Sequence, residues 1–242
     1  MKIVIVRNKK EMAKKAALVI AETIRKKPNA VLELATGVTM IPLYKRLVRL
    51  YKRKEIDFSK VITFNLDEYA HMPYNNPESY HYYMNRNLFD KVNIQKINTH
   101  FPSSNGKEYE NEIKKAGGAD LSILGVGVNG HIAFNEPGSS FNSKTREVKL
   151  SKETLKSNSA LFPGKKVPRE AYTVGINTIM KSKKVLLLAS GSKKSNAILE
   201  AVEKPVTEKN PASVLRRHRN VTFIIDKKAA KDLPEKDRYT LK

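Results

Sequence analysis

A histidine and a glutamate lie five positions apart in the glycine-rich segment 125–137 (GVGVNGHIAFNEP). The preceding residues 120–124 (DLSIL) are mostly apolar, which predicts a buried strand that ends just before the glycines. Glycines at such a point allow a sharp turn and expose backbone N–H groups. Histidine titrates near neutral pH, and a carboxylate such as Glu136 can fix its tautomer or share its protons. We predict proton-transfer chemistry at His131, although a lone loop histidine bonded to backbone would have the same pattern.

Strands and helices are predicted to alternate along the chain. Apolar runs predict strands at residues 2–6, 31–35, 61–66, 121–124, 184–189 and 221–226. Amphipathic segments predict helices at 9–27, from Pro42 onward, and at 80–90, 108–116 and 193–202. This alternation predicts an αβα sandwich with a largely parallel sheet, formed as a single domain by residues 1–242.

The segment 152–171 differs from its surroundings. It is basic, contains Pro163, Gly164 and Pro168, and has weak periodicity. We interpret it as a mobile helix-loop cover over the site.

Polar residues follow four predicted strands, in the segments 35–39 (ATGVT), 65–69 (NLDEY), 125–137 and 190–194 (SGSKK). Ligands of parallel sheets bind outside the carboxyl ends of the strands, so we expect one site at this edge. The first and last segments each lead into a helix, where backbone amides and hydroxyls can hold a phosphate beside a lysine. Neither matches a nucleotide-binding fingerprint, which favours a small phosphorylated metabolite. The predicted phosphate ligands are Thr36, Gly37, Val38, Thr39 and Lys194.

Composition excludes several kinds of site. The chain has no cysteine, which excludes disulfides, thiolate zinc sites and thiol nucleophiles. No two of its five histidines have metal-ligand spacing on a predicted helix, so we predict no metal site. No apolar run approaches the ~20 residues that span a bilayer. We therefore expect no membrane association and a cytoplasmic location.

The formal net charge of +22 predicts a field that attracts polyanions and phosphorylated metabolites. Nucleic-acid binding is one interpretation, but the basic residues are scattered along the chain and no nucleic-acid-binding motif is present. We prefer the alternative of a lysine-rich solvated surface without a specific nucleic-acid partner. Because a large net charge opposes self-association, we favour a monomer.

Three motifs resemble the glucosamine-6-phosphate deaminase family: residues 64–69 (FNLDEY), 77–80 (PESY) and 130–137 (GHIAFNEP). The likeness extends from the loop at 35–37 through 172–175 (YTVG) to 211–213 (PAS). The related 6-phosphogluconolactonases share the Gly-His loop but continue differently. A lactonase-like hydrolase is therefore the less favoured interpretation.

This resemblance implies a Rossmann-like αβα fold that converts glucosamine 6-phosphate and water to fructose 6-phosphate and ammonia without metal or organic cofactor. It implies that His131 moves the proton of ring opening, that Glu136 orients it, and that Asn129 fixes the loop. Asp67 matches the base of the later isomerisation. An aspartate at such a position also serves as a helix N-cap or turn residue, which is the alternative for Asp67. Glu68 is interpreted as structural.

Two of the departures from the family pattern concern the phosphate site. Val38 stands in the phosphate loop, where a β-branched residue resists positive φ. Ala160 replaces an arginine, which removes charged hydrogen bonds worth about 1.5 to 3 kcal/mol each. Lys165 or Lys166 is the candidate replacement. These departures leave open a sugar-phosphate-binding or polyanion-binding protein on the same fold with little or no turnover.

Overall fold

The computed structural model describes residues 1–235. This part of the chain contains ten strands and seven α-helices. The strands are β1 (Lys2–Val6), β2 (Val31–Leu34), β3 (Ile62–Asn65), β4 (Asp67–Tyr69), β5 (Thr99–His100), β6 (Leu121–Leu124), β7 (Arg146–Lys149), β8 (Glu170–Thr173), β9 (Val185–Ala189) and β10 (Val221–Asp226). The helices are α1 (Lys9–Lys26), α2 (Ile41–Lys52), α3 (Tyr80–Asn87), α4 (Gly106–Lys115), α5 (Lys152–Asn158), α6 (Ile176–Ile179) and α7 (Ser195–Glu203). Short 3₁₀ helices occupy Phe89–Lys91, Lys96–Asn98, Ser159–Leu161, Ser192–Lys194 and Pro211–Arg217.

Seven strands form one parallel sheet in the order β1-β10-β9-β6-β2-β3-β5. The central strands β2 (VLEL), β6 (LSIL) and β9 (VLLLA) are buried at every position. Parallel strands covered by helices on both faces have such near-continuous apolar sequences, because neither face meets water. The predicted αβα sandwich with a largely parallel sheet is confirmed.

Helix α1 shows how the sequence specifies these elements. The side chain of Asn8 accepts a hydrogen bond of 3.0 Å from the backbone N–H of Glu11, which caps the first turn. The buried residues of α1 include Met12, Ala16 and Ile20. These residues are spaced four positions apart and therefore line one face of the helix. Burial of that face against the core stabilises the helix more than its intrinsic propensity does.

A second sheet of three antiparallel strands, in the order β4-β8-β7, was not predicted. Asp67 belongs to this sheet, where it pairs with Thr173. Asp67 thus follows the third strand of the main sheet, as expected, but it begins a strand of a different sheet, since β3 stops at Asn65.

Two predicted segments have different boundaries in the structure. The helix expected at 80–90 ends at Asn87, and Phe89–Lys91 forms a separate 3₁₀ turn. The predicted cover at 152–171 contains α5 and the 3₁₀ turn Ser159–Leu161, but its last residues belong to β8. The mobility of this cover stays a prediction.

Within residues 1–235, no helix combines the length and the apolar character that a membrane crossing requires.

Candidate active site

A cavity of about 310 Å³ lies at the carboxyl edge of the parallel sheet. Its wall is built by the segments that follow β2, β3, β6 and β9, together with part of the segment 157–161. The structure brings together seven of the nine predicted site residues in this wall: Thr36, Gly37, Val38, Thr39, Asp67, His131 and Lys194. The other two, Asn129 and Glu136, contact His131.

His131 lies beside a carboxylate that is itself held in place. Its Nδ1 is 3.4 Å from Oε2 of Glu136, and both side chains are largely buried, with 17% and 12% exposed. Asn129 donates a hydrogen bond of 2.9 Å from Nδ2 to Oε2 of Glu136. The Oδ1 atom of Asn129 also accepts from the backbone N–H of His131 at 3.3 Å. Asn129 therefore links the carboxylate to the loop that carries the imidazole.

Two residues at the start of α5 complete this network and were missed by the sequence analysis. Thr154 Oγ1 lies 3.3 Å from Nδ1 of His131. Ser151 caps α5 by accepting from the N–H of Thr154 at 3.1 Å, and its own N–H donates to Oε1 of Glu136 at 3.3 Å. The available signal was the Ser-x-x-Thr spacing at the start of the predicted cover, which is typical of a helix N-cap.

The pKa of Glu136 is lowered to about 2. Burial alone would raise this pKa, but hydrogen bonds from His131, Thr154 and Asn129 and the charge of His131 outweigh it. Glu136 is therefore ionised at neutral pH. An ionised carboxylate facing Nδ1 favours the tautomer with its proton on Nδ1, which leaves Nε2 as the free basic atom.

A glycine makes room for the imidazole. A Cβ atom at Gly127 would lie 2.3 Å from Nδ1 of His131, well inside the contact limit for carbon. The backbone N–H of Gly127 also donates to the carbonyl of His131 at 2.8 Å. Gly127 is thus required for the close approach of the His131 ring.

Asp67 carries a buried carboxyl group in the cavity wall. Only 6% of the residue is exposed, and its Oδ1 atom has no partner among residues 1–235. Burial raises the pKa of Asp67 to about 8, and the nearby charge of Glu68 adds to this shift. An unpaired carboxyl group in a cavity wall, with a pKa near neutral, has the properties of a general base. The alternative of a helix cap is not supported, because Asp67 caps no helix.

The carboxylate of Glu68 accepts hydrogen bonds from the backbone of α3. Its Oε1 accepts from the N–H of Tyr80 at 2.9 Å, and its Oε2 accepts from the N–H of His81 at 2.9 Å. These are N–H groups of the first turn of α3, which lack partners inside the helix. Glu68 therefore holds the start of α3 against β4.

The loop between β2 and α2 is open for an anion. Within residues 1–235, the backbone N–H groups of Gly37, Val38 and Thr39 have no hydrogen-bond acceptor. The expectation that Val38 strains this loop is wrong, because the residue with positive φ is Gly37, at 97°. The side chain of Val38 instead lies at the surface, with 57% of the residue exposed. Its carbonyl accepts from Nζ of Lys9 at 2.8 Å.

Lys194 supplies a positive charge to the same cavity. The side chain is partly buried, and within residues 1–235 it has no carboxylate or other hydrogen-bond partner. Burial lowers its pKa, since an ammonium group loses solvation there. A bound anion would restore that lost stabilisation.

Ala160 lines the cavity. The family resemblance described above implies an arginine at this position. Lys165 and Lys166 do not take its place. Neither lines the cavity, and Lys165 Nζ donates to Oε1 of Glu78 at 2.8 Å. In the part of the chain that is described, Lys194 is the only lysine or arginine in the cavity wall.

A group with metal-ligand character lies outside this cavity. Ligand atoms of His71, Glu147 and Glu170 come within 4.8 Å of one another near the second sheet. His71 and Glu147 are exposed, and none of the three residues lines the cavity. This group of three residues therefore supplies no metal ligand to the cavity.

Comparison with known proteins gives a consistent result over nearly the whole chain. Residues 7–224 match the family described as glucosamine-6-phosphate isomerases/6-phosphogluconolactonase. A protein of Thermoanaerobacter sp. (strain X514) named glucosamine-6-phosphate deaminase is 50% identical over 245 residues, which cover 98% of this chain and 97% of that protein. A protein of the same name from Clostridium botulinum (strain Kyoto / Type A2) is 50% identical over 241 residues, or 96% of this chain and 99% of its own.

Solved structures agree with these sequence relatives. The structure of a monomeric glucosamine-6-phosphate deaminase superposes with a TM-score of 0.92 at 40% identity, and covers 96% of this chain and 99% of its own. The 6-phosphogluconolactonase from Trypanosoma cruzi superposes with a TM-score of 0.75 at 20% identity over 96% of each chain, which shows a common fold alone.

Proposed function

The chain belongs to the family of glucosamine-6-phosphate isomerases and 6-phosphogluconolactonases, and from this membership we propose that it converts glucosamine 6-phosphate and water to fructose 6-phosphate and ammonia. The observation that carries the proposal is one cavity lined by both His131 and Asp67, whose Oδ1 atom has no hydrogen-bond partner in the described part of the chain. The relatives at 50% identity support the deaminase over the lactonase.

Ring opening comes first, because the substrate is mainly a closed pyranose. In our proposal Nε2 of His131 takes the proton of the anomeric hydroxyl and returns it to the ring oxygen as the bond between C1 and that oxygen breaks. Glu136 and Thr154 contact Nδ1, which leaves Nε2 for the substrate. The low pKa of Glu136 keeps that carboxylate charged, so it steadies the imidazole whenever the ring carries an extra proton.

Isomerisation follows in the open chain. The ionised carboxylate of Asp67 removes the proton from C2, which is acidic because C1 is now a carbonyl carbon. The resulting enolamine takes the proton back at C1, and C2 becomes an imine carbon. Water adds to this imine, ammonia leaves, and the ketone of fructose 6-phosphate remains. The buried position of Asp67 strengthens its basicity, since the charged form is poorly solvated there.

The phosphate group anchors the substrate away from the reacting carbons. We assign it to the open N–H groups of Gly37, Val38 and Thr39, to the hydroxyls of Thr36 and Thr39, and to the ammonium of Lys194. The positive end of α2, which begins directly after this loop, adds to the attraction. No metal or organic cofactor takes part in this scheme.

Incubation of the protein with glucosamine 6-phosphate, followed by measurement of ammonia and fructose 6-phosphate, tests the proposal. We expect turnover that Asp67→Asn reduces by several orders of magnitude. Tight binding of glucosamine 6-phosphate with no turnover above the Asp67→Asn background would instead identify a sugar-phosphate-binding protein.

We also propose a monomer in the cytoplasm. The large net charge and the monomeric state named for one structural relative support the first point. Sugar phosphates are charged and stay in the compartment where they are made, which supports the second. Light scattering coupled to size-exclusion chromatography checks the mass, and a dimer at micromolar concentration would contradict it.

A further inference from the structure

A second cavity, of about 470 Å³, adjoins the catalytic one. Three basic side chains line it: Lys45 from α2, Arg86 from α3, and Lys91 from the 3₁₀ turn that follows α3. No aspartate or glutamate lies in its wall among residues 1–235. The proposed reaction uses none of these three cations, so the cavity has an unexplained concentration of positive charge.

The three cations have no compensating partners in the part of the chain that the structure describes. Lys45, Arg86 and Lys91 take part in none of the ion pairs or side-chain hydrogen bonds of residues 1–235. The carboxylates closest in sequence to Arg86 and Lys91 are engaged elsewhere: Glu78 pairs with Lys165, and Asp90 pairs with Lys96. Like charges facing one cavity repel one another, and a bound anion would relieve that repulsion.

The rest of the wall is apolar and aromatic. Tyr82, Leu161 and Val38 all line the cavity and are 38%, 41% and 57% exposed. Large apolar side chains exposed together at a concave surface indicate a binding site. Tyrosine rings offer flat faces for another ring, and such contacts tolerate many ring structures. The cavity therefore combines an anion-binding side with a surface suited to a ring.

The two cavities share part of their walls. Gly37, Val38, Tyr80 and Leu161 line both. The hydroxyl of Tyr83, a residue of the second cavity, donates to the carbonyl of Gly37 at 2.8 Å. A ligand in the second cavity would therefore touch the outer side of the loop assigned to the substrate phosphate.

We propose that this second cavity binds a small organic ligand that carries two linked phosphate groups on a ring-containing body, the class to which nucleoside diphosphates belong. The three unpaired cations bind the charged groups, and the tyrosine and leucine side chains contact the ring. This ligand is distinct from the substrate, whose single phosphate is assigned to the loop at 36–39 and Lys194.

Calorimetric titration with ADP at 150 mM salt tests the proposal without any use of activity. We expect saturable binding at one site. Lys45→Ala and Arg86→Ala each weaken it about tenfold or more, as expected for the loss of one charge-assisted hydrogen bond. Lys14→Ala and Arg53→Ala are matched controls, since they remove the same charges at exposed positions that do not line this cavity, and they change binding less than about threefold.

Three further measurements identify the site and the ligand class. Lys194→Ala should leave ADP binding intact. If Lys194→Ala abolishes ADP binding while Lys45→Ala retains it, ADP binds in the catalytic cavity and the proposal is overturned. Equal weakening in all four surface variants would reduce the binding to nonspecific charge attraction. Inorganic pyrophosphate should bind at least tenfold more weakly than ADP, and equal affinity would refute the ring contact. Absence of saturable ADP binding overturns the proposal whether or not the protein turns over glucosamine 6-phosphate.

Discussion

The imidazole of His131 occupies the space that a side chain at Gly127 would need, with 2.3 Å between a Cβ atom there and Nδ1. Gly127→Ala should therefore displace the ring from its contact with Glu136 and reduce kcat at least tenfold. Gly125→Ala is the matched control, because its Cβ would meet only the flexible end of Met40 at 3.5 Å. Steady-state kinetics with circular dichroism to verify folding measures both. Equal activities of the two variants would contradict the required close approach.

The activity should rise with pH as Asp67 loses its proton. Burial raises the pKa of this carboxyl group to about 8, and only the ionised form can accept the proton from C2. Below about pH 8, kcat/KM should fall about tenfold per pH unit. Glu68→Gln removes a negative charge that contributes to the raised pKa, so the midpoint of the profile should move to lower pH. A flat profile from pH 6 to pH 9 would argue against Asp67 as the base.

His131 and Asp67 should differ in their response to an open-chain substrate analogue. His131→Gln should lose more activity on the closed pyranose than on the open-chain analogue, because its proposed step is ring opening. Asp67→Asn should lose activity equally on both, because isomerisation is needed in either case. Equal losses for His131→Gln would remove ring opening from its role.

Ala160→Arg should lower the KM for glucosamine 6-phosphate. Ala160 lines the catalytic cavity, where Lys194 is the only lysine or arginine among residues 1–235. An added guanidinium can form charged hydrogen bonds worth about 1.5 to 3 kcal/mol, which corresponds to a roughly tenfold or greater fall in KM. Ser159→Arg adds the same charge at the adjacent exposed residue outside the cavity wall and serves as the control. If both variants lower KM alike, long-range attraction accounts for the effect.

Glu136 should stabilise the fold in a pH-dependent way. Its pKa lies at about 2 in the folded protein, below the ordinary value of 4.5. Ionised Glu136 therefore contributes stability that is fully present above about pH 4.5 and is lost as the pH falls through about 2. Glu136→Gln should lower the free energy of unfolding at pH 7 by about 1 to 2 kcal/mol, a figure reduced to allow for solvent screening.

Urea titrations at pH 7 and pH 3 measure this difference. The gap between the wild-type protein and Glu136→Gln should be smaller at pH 3. Glu153→Gln, a change at an exposed residue in the first turn of α5, should have little effect at either pH. A gap that is the same at both pH values would mean that packing, not charge, is lost in Glu136→Gln.

The parallel sheet was predictable because its strands are buried on both faces. Val185–Ala189 is apolar at all its positions, and such a run between helical patterns has few other interpretations. The site followed from the same logic, since residues at the carboxyl ends of parallel strands meet in space. His131, Asp67 and Lys194 are separated by more than fifty positions in sequence, yet they line one cavity.

Other features depend on contacts that the sequence does not display. Strand β4 has three residues, and its partner β8 lies about a hundred positions later, so no local pattern specifies the pairing. The second cavity likewise depends on the packing that brings Lys45 of α2 and Arg86 of α3 into one wall. The expectation that Val38 strains its loop was wrong for a related reason. The sequence alone does not show which loop residue takes the positive φ, and that residue is Gly37.

One threonine of the second sheet joins the two halves of the proposed reaction. Thr173 pairs with Asp67 in the antiparallel ladder, and its Oγ1 accepts from the backbone N–H of Phe134 at 3.0 Å, in the loop of His131. The proposed base and the proposed ring-opening histidine are thus positioned relative to a single buried residue. A shift of the second sheet would carry both groups together, and substitution at this one position would change the spacing between them.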